Sequence, residues 1–239
     1  MRVSSRYFDA ANIDPRLRAG LVGHWIGGGS GLTWMDRSGY QNHGTLTSGP
    51  TWGLGFGGKR DALFFDGVDD YVNAGSMAML DAAPAATLAY WGYRSATNKT
   101  ITINKHINNN NWLELSHRSD GNIYGITANG GVYYKVIGLS VTGWHHYCLV
   151  FDGGLVGNAR VALYVDGSAL AGGSVAGPLP ATLGTGGTMR LGAQNGLGAY
   201  GECGLDDVRA YLRALSPAEV ALLASPSFSP VIPRIGLGF

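Results

Sequence analysis

Two acidic doublets, Asp69-Asp70 and Asp206-Asp207, and one histidine doublet, His145-His146, hold the densest chemistry in this sequence. Carboxylates and imidazoles serve as general acids and bases, or hold a cation, when several converge on one point. Asp206-Asp207 lies in a stretch that reads as strand and the other two doublets border one, and in a strand successive side chains point to opposite faces. A strand doublet cannot chelate from one side, so His145 and His146 read as core or cross-strand packing residues. By the same geometry Asp206 and Asp207 diverge, and one of them needs a backbone donor, a basic side chain or a metal. Glycosidic hydrolysis needs two carboxylates across one bond, about 5–5.5 Å apart for retention or 6.5–9.5 Å for inversion. The only glutamates, Glu114, Glu202 and Glu219, are far apart in the chain. No Ser-His-Asp arrangement, phosphate loop or dinucleotide fingerprint is present, and Gly27-Gly28-Gly29 is a loop without a following lysine. The expectation is a protein that is not an enzyme. Cys148 and Cys203 lack metal or redox spacing and read as two half-buried thiols, with a disulfide open only if their strands are neighbours.

The elements that must position these residues are mostly strands. The chain has 239 residues, of which 39 are glycine and 14% are charged, a composition of many turns and a low-charge surface. A formal net charge of +1, with no run of Lys or Arg, excludes a general affinity for nucleic acid. No apolar run approaches the ~18 residues that span a bilayer, so no membrane insertion is expected. Alternation of apolar and polar residues predicts strands at Ala62–Phe65, Asp70–Asn73, Thr100–Ile103, Trp112–Ser116, Tyr147–Phe151, Val161–Val165, Thr188–Gly192 and Leu205–Tyr211. Asp66-Gly67, Asp152-Gly153 and Asp166-Gly167 predict tight turns within an antiparallel sheet, and Asn108–Asn111 predicts a hairpin tip. Ser216-Pro217-Ala218-Glu219 marks a helix start, and Ser225-Pro226 ends that helix.

The closing stretch GLDDVRAYLRALSPAEVALL (204–223) resembles the ending of laminin-G-like, concanavalin A-like jelly-roll domains. GLVGHW (20–25), DRSGYQNHGTLTSGPTW (36–52) and ALFFDGVDDYVNAG (62–75) resemble the family's first strands, and GWHHYCLVFDG (143–153) with VALYVDG (161–167) its central hairpin. The resemblance implies an all-β fold: a concanavalin A-like jelly-roll sandwich of two antiparallel sheets with one short C-terminal helix, over 20–224. Family members with a calcium site suggest Asp36, Asn42 and Asp206 as ligands of a candidate calcium ion. Relatives often have an acidic residue after the first Trp, whereas Trp25 here precedes Ile26-Gly27. Asp36 and Asp206 therefore read in the first place as turn and cap residues satisfied by backbone N–H groups, and as calcium ligands only in the second. Catalytic relatives carry E-x-D-x-x-E on one strand, and no glutamate here begins that motif.

Sandwiches of this kind hold glycans on aromatic faces with a few polar groups fixing orientation. Trp34, Trp52, Trp112, Tyr133, Tyr134 and Tyr200 are the candidate contacts, set against a core of Trp25, Trp91 and Trp144. Outside the sandwich, residues 1–19 form an N-terminal arm, with no signal-peptide core, and 225–239 a proline-spaced apolar C-terminal arm. Arg2, Tyr7, Phe8, Phe228, Ile232, Ile235 and Phe239 are the residues expected to dock such arms on neighbouring subunits. The functional expectation is a non-catalytic surface protein of a larger assembly, such as a phage or virion decoration or tail component with a glycan-adhesion role. The alternative is a free-standing carbohydrate-binding or adhesion module at an extracellular or cell surface.

Overall fold

A computed structural model describes residues 14–225, apart from 29–30, 59–60, 97–98, 109–110, 129–131, 137–138, 140, 172, 176 and 195–198. Two large antiparallel sheets face each other. The first orders Ser168–Ala169, Val161–Val165, Gly143–Asp152, Ala85–Arg94, Glu202–Tyr211, Asp61–Asp66 and Thr51–Leu54, with Leu21–Trp25 also paired to Glu202–Tyr211. The second orders Ser174–Val175, Val132–Val136, Ile123–Ala128, Asn111–His117, Ile101–Asn108, Thr188–Leu191, Tyr71–Asn73, Gly44–Thr47 and Thr33–Trp34. Every predicted strand falls within or overlaps one of these.

Alternation explains how the two layers bury one core. Leu88, Tyr90, Leu149, Phe151, Leu163 and Leu205 of the first sheet meet Ile101, Ile103, Leu113, Leu115, Met189 and Leu191 of the second. A smaller cluster lies on the other side of the first sheet, where Ala89, Cys148, Val150, Tyr164 and Tyr211 receive the helix Pro217–Leu223 through Val220 and Leu223. That helix starts where predicted, with a complete capping box between Ser216 and Glu219.

Several expectations change. Residues 14–19 do not belong to a separate arm: Leu17 is fully buried in the helix cluster, and Arg213 donates to the carbonyls of Arg16 (2.9 Å) and Ala19 (2.6 Å). Of the three Asp-Gly turns, Asp166-Gly167 closes a hairpin, with both residues at positive φ. Asp66-Gly67 instead carries the chain from one sheet to the other, and Asp152-Gly153 enters a longer loop, in which a Cβ on Gly153 would stand 1.8 Å from the Ala181 carbonyl oxygen. An Asp-Gly pair specifies a local reversal and not its destination. Cys148 and Cys203 are fully buried rather than half-buried, and both are free thiols. They lie in the two different clusters, on opposite faces of the first sheet, where they cannot pair. Burial raises both thiols, Cys203 to about 12.

The acidic doublet also departs from simple alternation. A β-bulge sits between Asp206 and Arg209, with Asp207 at φ 49°, and both carboxylates are buried. Asp207 accepts from His24 Nε2 (2.8 Å) and from Arg209 Nε and Nη2 (2.7 and 3.0 Å), while Asp206 accepts from the Phe56 N–H (3.2 Å). Both therefore have partners.

Candidate functional site

The outward face of the second sheet carries a band of polar side chains. On Ile101–Asn108 and Asn111–His117, core residues alternate with Thr102, Asn104, Glu114 and Ser116, which point away from the core. Antiparallel register then aligns residues from distant segments. Glu114 pairs with Asn104, Asn104 with Arg190, Arg190 with Asn73 and Asn73 with Thr45. At ~4.8 Å between strands this row runs about 19 Å across the sheet. Beside it, Tyr124, Ser116 and Thr102 form a second row. A third register line joins Tyr133, Thr127, Trp112, His106 and Thr188.

Charge in this band is arranged unevenly. Glu114 accepts from Arg118 Nη2 through both oxygens (2.9 Å each), from Ser116 Oγ (2.5 Å) and from Gln194 Nε2 (2.5 Å). Its Oε1 is saturated and its Oε2 is held by Arg118, which also lies over the Tyr124 ring at 4.0 Å. Arg190 lies over the Tyr71 ring at 4.2 Å. Burial, and then the charge of Arg190, hold His106 below the usual imidazole range, so it is neutral near pH 7. Thr102 and Asn104 are 0% and 2% exposed, yet Thr102 Oγ1, Asn104 Oδ1 and Arg190 Nε have no hydrogen-bond partner. An unmade bond at a buried polar atom costs ~1–3 kcal/mol. Three such atoms on one sheet face require an explanation.

The sequence-derived aromatic candidates scatter relative to this band. Trp34 is not a ligand platform: it is fully buried, its Nε1–H donates to the Gly27 carbonyl (3.0 Å), and Trp52 meets it edge-on at 5.8 Å. These two tryptophans come from the last strand of each sheet and close the edge of the sandwich. Trp112 and Tyr133 share one register line on the second sheet, whereas Tyr134 is in register with Gly125 on the Leu115 and Ile103 line of core residues. Tyr200 is half-buried on a short ribbon paired with Ala193. Of the three expected core tryptophans, Trp25 and Trp91 are buried, but Trp144 is half-buried on the outward face of the first sheet, against Tyr93 and Phe64. Polar residues at the outward positions were the missed signal, legible as Thr102 and Asn104 between isoleucines and Glu114 and Ser116 beside leucines.

Each of the three residues suggested as cation ligands, Asp36, Asn42 and Asp206, is engaged by protein hydrogen bonds. Asp36 accepts from the His24 N–H (2.8 Å) and Ser38 N–H (2.8 Å) through one oxygen, and from Ser38 Oγ (2.8 Å) and the Asn42 N–H (2.9 Å) through the other. Asn42 Nδ2 donates to the Val22 carbonyl, and Asp206 is engaged by Phe56. This is the bonding of a turn residue, with each Asp36 oxygen already receiving two donors. Among the described residues, three acidic ligand atoms lie within 4.8 Å of one another at Asp66, Asp69 and Asp70, an inter-sheet turn whose Asp70 is raised by burial. The arm residues Arg2, Tyr7, Phe8, Phe228, Ile232, Ile235 and Phe239 lie outside the described residues.

Two facing antiparallel sheets with a polar outward band define a lectin-type β-sandwich. The sequence profile described as the concanavalin A-like lectin/glucanases superfamily matches residues 66–221, and the chain belongs to this laminin-G-like family. No curated protein matches the sequence. Among solved structures, domain 4 of AbnA, an extracellular GH43 arabinanase from Geobacillus stearothermophilus, in complex with arabinotriose, aligns at 18% identity and a TM-score of 0.66, over 87% of this chain and 99% of that domain. Trypanosoma rangeli sialidase in complex with the inhibitor DANA aligns at 16% identity and 0.63, over 86% of this chain and 33% of the sialidase. The binding domain of Paraclostridial Mosquitocidal Protein 1 aligns at 15% identity and 0.63, over 88% and 53%. The chain thus spans the whole of one relative but about a third and a half of the other two. At these identities the likeness is one of fold. Among the described residues no helix is long and apolar enough to cross a membrane.

Proposed function

We propose that the protein is a non-catalytic glycan-binding module whose ligand lies against the outward face of the second sheet. The observation that carries this reading is the pair of unpartnered atoms Asn104 Oδ1 and Arg190 Nε, neighbours on one outward face, of which the Arg190 side chain is only half-buried. Sugar hydroxyls both donate and accept, and would supply the missing bonds. Tyr71 and Tyr124 add aromatic surface beside them. The likeness to an arabinanase domain in complex with arabinotriose supports the same reading. The commitments of the three glutamates support a binding role without hydrolysis: Glu114 to Arg118, Glu202 to Lys99 and Glu219 to Arg213 and Ser216. A glycan array followed by calorimetry tests it. Asn104→Ala is expected to weaken the best glycan by roughly tenfold or more while the protein stays folded. Retained affinity in that variant, or release of reducing sugar from the bound glycan, would overturn the reading.

Assembly on a particle surface is a second proposal, supported by the apolar, proline-spaced composition of 225–239. Light scattering of the full chain against residues 14–225 tests it. A multimer that becomes a monomer on shortening supports docking through the termini, and a monomer in both refutes it.

A further inference from the structure

The glycan face is asymmetric in charge, and its two arginines differ in one respect. Arg118 is held by Glu114 through both carboxylate oxygens. Arg190 has no carboxylate partner among the described residues, and its Nε–H has no acceptor at all. Its neighbours in register, Asn73 and Asn104, are neutral amides, and its guanidinium is braced on the Tyr71 ring. Glu114, the carboxylate in this row, is consumed by Arg118, Ser116 and Gln194. Nothing within the described band neutralises the Arg190 charge. His106, which would add a second positive charge, is kept neutral by burial and by Arg190 itself.

The Arg190 side chain is half-buried, and a guanidinium offers a fork of N–H donors suited to two oxygens of one oxyanion. Asn104, 2% exposed with an unpartnered acceptor oxygen, stands next to it to accept a hydrogen bond from a hydroxyl of the same ligand. We propose that the ligand is an anionic glycan, with a sugar-borne oxyanion seated on Arg190 and an adjacent hydroxyl on Asn104. Carboxylate and sulfate share this chemistry, and both are compatible with the fork. The inference rests on the glycan-binding reading and adds the charge of the ligand to it.

Titration calorimetry of the full chain separates the two. Oligosaccharides of equal length are compared: one bearing uronic carboxylates, one bearing sulfate esters and one neutral. Preference for either anionic ligand over the neutral one supports the inference, and the stronger of the two identifies the oxyanion. Arg190→Ala is expected to lose roughly 10–100-fold of the anionic affinity, with Arg190→Lys recovering part of it. Raising salt should weaken the wild type and leave Arg190→Ala nearly unchanged. Asn104→Ala weakens anionic and neutral ligands alike. If Arg190 only packs on Tyr71, Arg190→Ala lowers the unfolding temperature without changing the preference, and the inference falls. Neutral ligands bound as tightly as anionic ones, with sensitivity to Asn104→Ala, overturn the charge assignment and leave the glycan reading standing. Binding of none of the three ligands overturns both.

Discussion

Acidification from pH 7 to pH 5 should destabilise the protein through its buried histidines. Burial pushes His117 and His146 down to about 4, and His24 and His106 also lie below the usual imidazole value. The Arg94 guanidinium reinforces the effect at His117, donating to its ring while the other ring nitrogen faces the Leu139 carbonyl at 2.8 Å. A folded-state value below the unfolded ~6.5 means that the unfolded chain takes up the proton first. The stabilisation is therefore complete well above pH 6.5 and is lost as pH falls from there toward 4. Between pH 7 and pH 5 each of these two imidazoles should account for about 2 kcal/mol, and the pair for about 4 kcal/mol. The carboxylates held low, Asp14 and Glu219 at about 2, respond only at more acidic pH, and Asp70, raised by burial, acts in the opposite sense on acidification, so the loss in this window comes from histidine. The assay is urea unfolding at pH 5, 6 and 7. His146→Leu removes one titrating ring, packed edge-on to Trp91 at 5.5 Å, and should shrink the loss by about 2 kcal/mol. A wild-type stability constant to within about 1 kcal/mol over this range, or an unchanged slope in His146→Leu, would refute the reasoning.

Other parts of the structure make equally direct predictions. Asp207→Asn tolerates the left-handed backbone at φ 49° but strips the counter-charge from Arg209, 3% exposed, and should cost about 3–5 kcal/mol in chemical denaturation; a loss below about 1 kcal/mol would contradict it. Gly204→Ala would place a Cβ 2.8 Å from the Phe64 ring and should cost about 1–3 kcal/mol, recovered in part by Phe64→Leu in a double-mutant cycle. Ser216→Ala breaks the capping box and should cost about 1 kcal/mol, a drop of about 2–4 °C in Tm by calorimetry. Both thiols should resist a thiol reagent in the folded protein and react only on unfolding, since burial raises Cys148 and Cys203 alike.

Local patterning made most elements legible. Apolar alternation locates the strands because each buries one side chain in two, and Ser216 to Glu219 starts the helix through bonds made within four residues. Destinations were not legible. Asp66-Gly67 and Asp166-Gly167 look alike in sequence, yet one crosses between sheets and the other closes a hairpin, because the partner strand is chosen by tertiary packing. The Asp207 bulge was hidden for a related reason: of its partners, His24 comes from a strand 183 residues away, and Arg209, two residues along the same strand, reaches it only because the bulge breaks the alternation. Aromatic content was a poor guide to the proposed binding face. Trp34 seals an edge, whereas Trp144 lies half-buried where a core position was expected. The polar row from Glu114 to Thr45 is drawn from five segments, and only register brings it together.

Arg213 joins the two ends of the described chain. It grips the carbonyls of Arg16 and Ala19 with one side of its guanidinium group and Glu219 with the rest, while Leu17 packs with Val220 and Leu223. Entry and exit therefore sit side by side on the outward face of the first sheet, and the polar band lies across the thickness of the sandwich from them. Such a unit behaves as a plug-in cassette. It can be spliced into a host chain at a single point without stretching either junction. Mounted that way, its anchored side would face the carrier and the polar band would be held outward, so its orientation would be set by the attachment itself.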